Sequence, residues 1–168
     1  MKLLIPDLIC DTVYDIPFSY FKENGIKLLF LDIDNTLVTY DDAHPTIENF
    51  SWFSALNENG IDVVFVSNNN KKRVSVYAEK TTFEYHPNAK KPFVFAHKKV
   101  MKQRGLSTFE CASVGDQIFT DVLSAHLVGC KGVLVSPIKD LTGAFTKFKR
   151  MWEKPFIKAY HKKKVNDK

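Results

Sequence analysis

A run of four apolar residues, 28–31, leads directly into two aspartates, Asp32 and Asp34. Successive apolar residues are typical of a strand that is buried on both faces of a sheet. A carboxylate at the end of such a segment is costly unless it is paired or bound to a cation. The segment therefore predicts a chemical role for Asp32 and Asp34 at the end of a buried strand.

Short apolar runs alternate with helical patterns along most of the 168 residues. This alternation predicts an α/β domain, with a parallel sheet and helices on both faces. The predicted strands are 27–31, 62–66, 83–85, 111–114 and 132–135, and the predicted helices are 19–24, 45–58, 71–79, 92–104 and 120–127. In the helix 45–58, the spacing predicts an apolar face made of Ile47, Phe50, Phe53 and Leu56.

Polar residues follow three of the predicted strands at the point where each strand ends. Asp32 and Asp34 follow the first strand, Ser67 follows the second, and Asp116 follows the strand 111–114. Ligands of parallel α/β sheets bind outside the carboxyl ends of the strands. Asp32 and Asp34 share one side because alternate residues of an extended chain point the same way. An oxygen-rich site of this kind predicts Mg²⁺ as its cofactor.

A carboxylate beside Mg²⁺ can attack phosphorus and form an aspartyl phosphate. A second carboxylate two residues later can protonate the leaving oxygen and then activate water. An EF-hand is excluded, because its sixth loop position is Leu37 rather than Gly and no helix precedes the loop. A simple turn, in which Asp and Asn are only turn residues, explains one polar cluster but not three.

These motifs resemble those of the haloacid dehalogenase (HAD) superfamily of aspartate-nucleophile phosphatases. The segment DIDNTL (32–37) matches its first motif, and Ser67 with the asparagines that follow matches the second. Lys91, in the segment AKKP, looks like the third-motif lysine, and GDQIFTDV (115–122) matches the fourth motif. Together they are similar to the YqeG branch of subfamily IIIA, which includes relatives of the mitochondrial phosphatidylglycerophosphate phosphatase. The resemblance covers about residues 1–155.

The resemblance implies a single-domain, Rossmann-like HAD fold and a set of catalytic and metal-binding residues. Asp32 would be the nucleophile and a ligand of Mg²⁺. Asp34 would be the general acid and base, and its main-chain carbonyl would be a second metal ligand. Asp116 would complete the protein ligands.

The resemblance also implies residues that bind the phosphoryl group of the substrate. These residues are Ser67, Asn68 and Lys91. Thr36 and Asp121 would have supporting roles, with Asp121 acting on the metal-bound water molecules or on Lys91.

The spacing of the motifs predicts that no large cap domain covers the site. Thirty residues separate Thr36 from Ser67, and twenty-three separate Ser67 from Lys91. A loop, a helix and a strand use up the first interval, and neither interval is long enough for a cap domain. We therefore expect an open site, which suits a large substrate such as a lipid head group, a nucleic-acid end or a protein.

The C-terminal segment differs in composition from the rest of the chain, so we predict a phosphatase domain at 1–144 and a basic, aromatic tail at 145–168. Residues 145–164 contain eight Lys or Arg and one acidic residue, a net charge of +7, whereas residues 1–144 sum to −2. Aromatic residues recur every three or four positions between 145 and 160, and those at 145–152 are expected to pack on the sheet. Pro155 is expected to break or kink a helix there.

Three interpretations of the tail remain open. Residues 145–164 can make a peripheral contact with an anionic membrane, because aromatic and basic side chains suit the bilayer interface. They can instead contact RNA, or form an amphipathic helix packed on their own domain.

The sequence as a whole predicts a Mg²⁺-dependent phosphomonoester hydrolase, and the resemblance makes phosphatidylglycerophosphate a candidate substrate. The alternatives are a phosphatase for another phosphorylated metabolite or a nucleic-acid end, and an RNA or ribosome-assembly binding protein with a vestigial site. No apolar run approaches the roughly 20 residues needed to span a bilayer, and the N-terminal apolar run is too short for a secretory signal. We therefore expect a cytoplasmic protein, with peripheral membrane contact as an option.

Overall fold

The computed structural model describes residues 2–139 and 144–166, without the side chains of 144–150 and 165–166. Within this part of the chain, six parallel strands form one sheet: β1 (Leu8–Cys10), β2 (Leu28–Leu31), β3 (Asp62–Val66), β4 (Glu84–His86), β5 (Cys111–Gly115) and β6 (Lys131–Val135). Their order across the sheet is β1-β6-β5-β2-β3-β4. Because β2 lies between β5 and β3, the three strands that end in polar motifs are neighbours.

Helices cover both faces of this sheet, which confirms the predicted α/β fold. They are α1 (Phe18–Glu23), α2 (Ile47–Glu58), α3 (Lys71–Ala78), α4 (Phe95–Arg104), α5 (Leu123–Val128), which follows a π-helical turn (Ile118–Val122), and α6 (Ala144–Asn166). Side chains of α1, α2 and α3 share one buried cluster, and those of α4 and α5 share another. One helix joins β2 to β3 and one joins β3 to β4, so residues 32–86 contain no inserted cap domain, as predicted.

The register of the central strands fixes the position of the first aspartate. Leu31 of β2 is aligned with Val114 of β5 and with Phe65 of β3. The ladder continues one residue further, because the N–H of Asp32 donates to the carbonyl of Val114 over 3.0 Å. All four residues of β2 are fully buried, which explains their continuous apolar character.

Strand β1 was not predicted from the sequence. It has three residues, too few to show a period, and it follows Pro6. It pairs with β6 at one edge of the sheet, where Leu8 is aligned with Val133. The side chain of Asp7 accepts the N–H of Gly132 over 2.8 Å, so a charged residue just before the strand sets its register.

The predicted apolar face of α2 is wrong in its first half. Ile47 is 82% exposed and Phe50 is 43% exposed, whereas Asn49 is fully buried beside Trp52 and Phe53. Asn49 faces the core because its amide donates to the carbonyl of residue 37 and its oxygen accepts the hydroxyl of residue 77. A buried polar residue with such partners is stable, but an apolar pattern cannot reveal it.

The start of α4 and the course of α6 also differ from the predictions. α4 begins at Phe95 rather than at Pro92, because residues 90–93 form a turn in which the N–H of Phe93 donates to the carbonyl of Lys90. α6 runs through Pro155 without a break. Pro155 is exposed, so its ring faces solvent.

α6 packs against the domain through a stripe of side chains at helical spacing. Glu153 and Tyr160 are buried, and Phe156 packs edge-to-face on Phe119. Trp152 is 56% exposed, which contradicts the prediction that the aromatic residues of 145–152 pack on the sheet. Phe145 and Phe148 lie outside the described side chains. The domain division at residue 144 stays a prediction.

Candidate active site

A buried lysine joins two of the predicted acidic residues at the carboxyl edge of the sheet. Nζ of Lys91 lies 2.7 Å from Oδ1 of Asp32 and 2.6 Å from Oδ1 of Asp121. All three residues are buried. Asp32 follows β2 and Asp121 lies in the turn after β5, so the lysine connects two neighbouring strand ends.

The acidic residues of this cluster repel one another. Burial raises the pKa of Asp32 to about 8, and the carboxylates of Asp121 and Asp116 add to the increase, whereas Lys91 opposes it. Burial opposes the charged form of Lys91, but Asp121 and Asp32 outweigh it and raise the pKa of this ammonium group above its ordinary value. Lys91 contacts Asp32 and Asp121, and a bound cation would reduce the repulsion between the acidic residues.

The three acidic residues form a group that fits a metal ion. Asp32, Asp116 and Asp121 each offer a carboxylate oxygen, and these oxygens lie within 4.8 Å of one another. A small group of carboxylate oxygens, completed by water or substrate, suits Mg²⁺. Asp121, which the resemblance gave only a supporting role, belongs to this group, whereas the carboxylate of Asp34 has other partners.

Asp34 is held by a residue that the sequence analysis did not identify, Arg73. Nε and Nη2 of Arg73 lie 2.9 and 2.8 Å from Oδ1 of Asp34. Nδ2 of Asn69 donates to Oδ2 of Asp34 over 3.0 Å. Both oxygens of Asp34 therefore have a donor, and the carboxylate is fixed in orientation. The sequence offers one indication of this contact: Arg73 lies in the first turn of α3, the helix that follows the second motif and has Asn70 as its N-cap.

The second motif positions the lysine through its backbone. Oδ1 of Asn68 accepts the N–H of Lys91 over 2.6 Å, and Nδ2 of Asn68 donates to the carbonyl of Lys91 over 3.2 Å. Ser67 is buried, and its hydroxyl accepts the N–H of Asn69. The binding of phosphate by Ser67, Asn68 and Lys91 stays a prediction.

A glycine lets the acidic turn after β5 approach the strand. A Cβ atom on Gly115 would lie 2.2 Å from Cγ of Asp121. The carboxylate of Asp121 also accepts the N–H of Gln117 over 3.1 Å. The glycine of the fourth motif therefore leaves the space that the Asp121 side chain occupies.

The residues after Asp34 link the first motif to the end of β6. Asn35 has a φ of 66°, a conformation that Asn tolerates better than most residues. Its side chain accepts the N–H of Lys139 over 2.8 Å and donates to the carbonyl of Lys139 over 3.0 Å. Thr36 is buried, and its hydroxyl has no hydrogen-bond partner within the described residues.

Most of the predicted site residues meet at one cavity of about 320 Å³, whereas Thr36, Asp116 and Asp121 do not line it. It is lined by Asp32, Asp34, Tyr40, Ser67, Asn68, Asn69, Lys91, Gln117 and Thr120. A buried ammonium and a fixed carboxylate at one cavity, beside an acidic group that fits a cation, can bind a phosphoryl group and transfer protons to and from it.

Comparison with known families agrees with this geometry. The family described as "Mitochondrial PGP phosphatase" matches residues 1–138. The chain belongs to this family. It is also similar to "Probable phosphatase YqeG" of Bacillus subtilis (strain 168), with 33% identity over 162 residues that cover 96% of this chain and 94% of that protein. The resemblance to the YqeG branch is thereby confirmed.

Solved structures confirm the HAD fold. A 3-deoxy-D-manno-octulosonate 8-phosphate phosphatase from Moraxella catarrhalis, in complex with magnesium ion, phosphate ion and KDO, matches with a TM-score of 0.51 at 12% identity, over 89% of this chain and 98% of that one. A Legionella pneumophila protein assigned to subfamily III A of the HAD superfamily matches with a TM-score of 0.51 at 15% identity, over 88% and 93%. Both structures are similar in fold to this chain.

Proposed function

We propose that this phosphatase is a Mg²⁺-dependent phosphomonoester hydrolase that acts through an aspartyl phosphate on Asp32. The observation that carries the proposal is the buried contact between Asp32 and Lys91 beside two further carboxylates. An ammonium at 2.7 Å orients the nucleophile and can neutralise a transferring phosphoryl group. The family match supports the same reaction class.

Two residues carry out the chemistry in this proposal. A carboxylate oxygen of Asp32 attacks phosphorus, and the bond from phosphorus to the leaving oxygen breaks while Asp34 donates a proton to that oxygen. Asp34 then takes a proton from water, the water oxygen attacks phosphorus, and the bond to Asp32 breaks to release phosphate. Ser67 and Lys91 bind the phosphoryl oxygens, with Asn68 beside them.

Mg²⁺ would be held by the carboxylates of Asp32 and Asp116, with Asp121 as a further acidic neighbour. The main-chain carbonyl of Asp34 would be another ligand, as the resemblance implies. When bound, Mg²⁺ supplies positive charge that stabilises the charged transition state of phosphoryl transfer. The carboxylate set supports this assignment, because these residues otherwise repel one another. Thr36 supports the loop that carries Asp34.

The candidate substrate is phosphatidylglycerophosphate. Three features support a lipid phosphate: the family to which the chain belongs, the lack of an inserted cap over residues 32–86, and the basic character of residues 145–164. On the described part of α6, Met151 and Trp152 are exposed beside Lys154 and Lys158. None of the described helices is both long and apolar enough to cross a membrane. We therefore propose a cytoplasmic enzyme that contacts an anionic membrane peripherally through α6.

Phosphate release tests the reaction and the substrate together. Wild type and Asp32→Asn are compared on phosphatidylglycerophosphate vesicles and on a soluble aryl phosphate, with and without Mg²⁺. We expect Mg²⁺-dependent release from both substrates, which Asp32→Asn abolishes. Release from the aryl phosphate alone would keep the hydrolase and remove the lipid substrate in favour of another metabolite or a nucleic-acid end. No release from any of these would favour the RNA or ribosome-assembly binding protein.

A further inference from the structure

Two aromatic rings lie exposed directly after the proposed phosphate-binding lysine. Phe93 is 61% exposed and Phe95 is 76% exposed. Their rings stack with centroids 6.2 Å apart and an angle of 26° between their planes. Because Lys91 is buried in the site, the chain turns from the phosphate-binding position to the surface within two residues.

Exposed lysines flank this aromatic pair in the sequence. Lys90 precedes it, and Lys98 and Lys99 lie three and four residues after Phe95 in α4, which places them on the same side of the helix. All three lysines are exposed. Residues 87–104 contain six Lys or Arg and no acidic residue. We call Lys90, Phe93, Phe95, Lys98 and Lys99 the aromatic–lysine patch.

The patch lies at the same edge of the sheet as the active site. It begins after the carboxyl end of β4, and the site lies at the carboxyl ends of β2, β3 and β5. Phe109, by contrast, is 79% exposed in the turn before β5, at the opposite edge. A large exposed aromatic residue therefore exists at each edge, but the paired rings with lysines lie at the edge of the site.

We propose that the aromatic–lysine patch is a docking surface for the anionic face of a lipid bilayer. The inference rests on the proposed lipid substrate, and it adds a second contact that is separate from α6. Exposed aromatic rings bury themselves at the interface between head groups and acyl chains, and adjacent lysines are attracted to anionic lipids. Docking there places the head groups at the edge of the sheet that carries the cavity of Asp32 and Lys91.

The charge of the segment favours a bilayer over an apolar protein partner. An apolar protein surface would cover the two rings but leave the lysines without opposite charges. An anionic bilayer satisfies both, because its head groups carry the negative charge and its interface accepts the rings.

Vesicle binding tests the proposal without reference to activity. The full-length protein is sedimented with vesicles of phosphatidylcholine, with and without phosphatidylglycerol. The variants are Phe93→Ser/Phe95→Ser, Lys98→Gln/Lys99→Gln and the matched control Phe109→Ser. We expect wild type and Phe109→Ser to bind the phosphatidylglycerol vesicles equally, and each patch variant to bind about tenfold more weakly. Hydrolysis of the soluble aryl phosphate should be unchanged in all variants.

The outcomes of these measurements distinguish the docking surface from the proposed hydrolase function. Equal vesicle binding by wild type and both patch variants would overturn the docking surface and leave the hydrolase intact. The docking surface would also be overturned if wild type does not bind the anionic vesicles. Binding of the same protein to RNA would then identify a nucleic acid as the partner. If wild type does not hydrolyse the aryl phosphate, the proposed function is overturned. The vesicle measurements would still decide whether the patch is a docking surface.

Discussion

At the scale of single residues, the environment of Asp32 opposes stability. Its pKa in the folded protein is about 8, above the ordinary value of 3.8. Between about pH 4 and pH 8, the folded state therefore keeps a proton that the unfolded chain has lost, and stability falls as the pH rises. In the proposed mechanism, a charged Asp32 next to Asp116 and Asp121 is tolerated because this carboxylate is the nucleophile.

Asp32→Asn should therefore stabilise the metal-free protein while it abolishes activity. We expect a gain of about 1–3 kcal/mol in the free energy of unfolding at pH 8, and little difference from wild type at pH 4. Chemical denaturation in the presence of a chelator, from pH 4 to pH 8, measures this difference. A wild type that is more stable than Asp32→Asn at pH 8 would contradict the account of the cluster.

Arg73 should matter most for substrates that need a proton on the leaving oxygen. It fixes Oδ1 of Asp34 at 2.9 Å, so Arg73→Gln should misplace the proposed general acid. We expect a loss of about tenfold or more in kcat on an alkyl phosphate, and a smaller loss on an aryl phosphate whose leaving group needs no proton. The exposed neighbour Lys72 gives the control, Lys72→Gln. An equal loss on both substrates would show that Arg73 does not act through Asp34.

Gly115→Ala should disturb Asp121, because the new Cβ would overlap its carboxylate. We expect a loss of about 1–3 kcal/mol in the free energy of unfolding, together with weaker Mg²⁺ binding. The double variant Gly115→Ala/Asp121→Ala removes the overlapping group, so its loss of stability should be smaller than the sum of the single losses. If the two losses of stability are additive, Gly115→Ala acts through contacts other than the one with Asp121.

At the scale of elements, α6 supports the turn that carries the acidic group. Oε1 of Glu153 accepts the N–H of Ile118 over 2.8 Å, at the start of the turn 118–122 that contains Asp121. Glu153→Ala would leave that N–H buried without this acceptor. We expect a loss of about 1–3 kcal/mol in stability and weaker Mg²⁺ binding. Lys154→Ala, at an exposed neighbouring position, should change neither, and a stable Glu153→Ala with normal Mg²⁺ binding would contradict this role.

The elements that the sequence could predict are those with strong local signals. β2 and β3 are continuous apolar runs between turn residues, and both were found within one residue of their bounds. β1 was missed, because a three-residue edge strand is defined by its pairing with β6 and not by its own pattern. The face of α2 was misjudged, because the hydrogen bonds that bury Asn49 come from distant residues.

The residues of the site likewise divide into those that the sequence predicts and those that only the folded structure reveals. Sequence motifs identified Asp32, Ser67 and Lys91, which line the cavity. Asp32 and Ser67 directly follow recognisable strands, and Lys91 stands in the segment AKKP. Arg73 was missed, because its contact with Asp34 spans 39 positions and depends on the packing of α3. The membership of Asp121 in the acidic group likewise depends on how closely the turn approaches Gly115.

At the scale of the whole molecule, the sheet order brings the chemistry together. β5, β2 and β3 are adjacent, so residues more than 80 positions apart in the chain meet at one edge. The aromatic–lysine patch follows β4 at that same edge. The molecule thus combines the proposed phosphate site and a basic, aromatic surface on one side.

The central claim is that Asp32 becomes phosphorylated during turnover. The most direct measurement is borohydride reduction of the enzyme during steady-state hydrolysis of an aryl phosphate with Mg²⁺, followed by peptide mass spectrometry. Asp34→Asn is included because it should slow the breakdown of the intermediate. We expect homoserine at position 32, in a larger amount in Asp34→Asn than in wild type and only when substrate is present. Continued phosphate release with an unmodified aspartate at position 32 would contradict the claim.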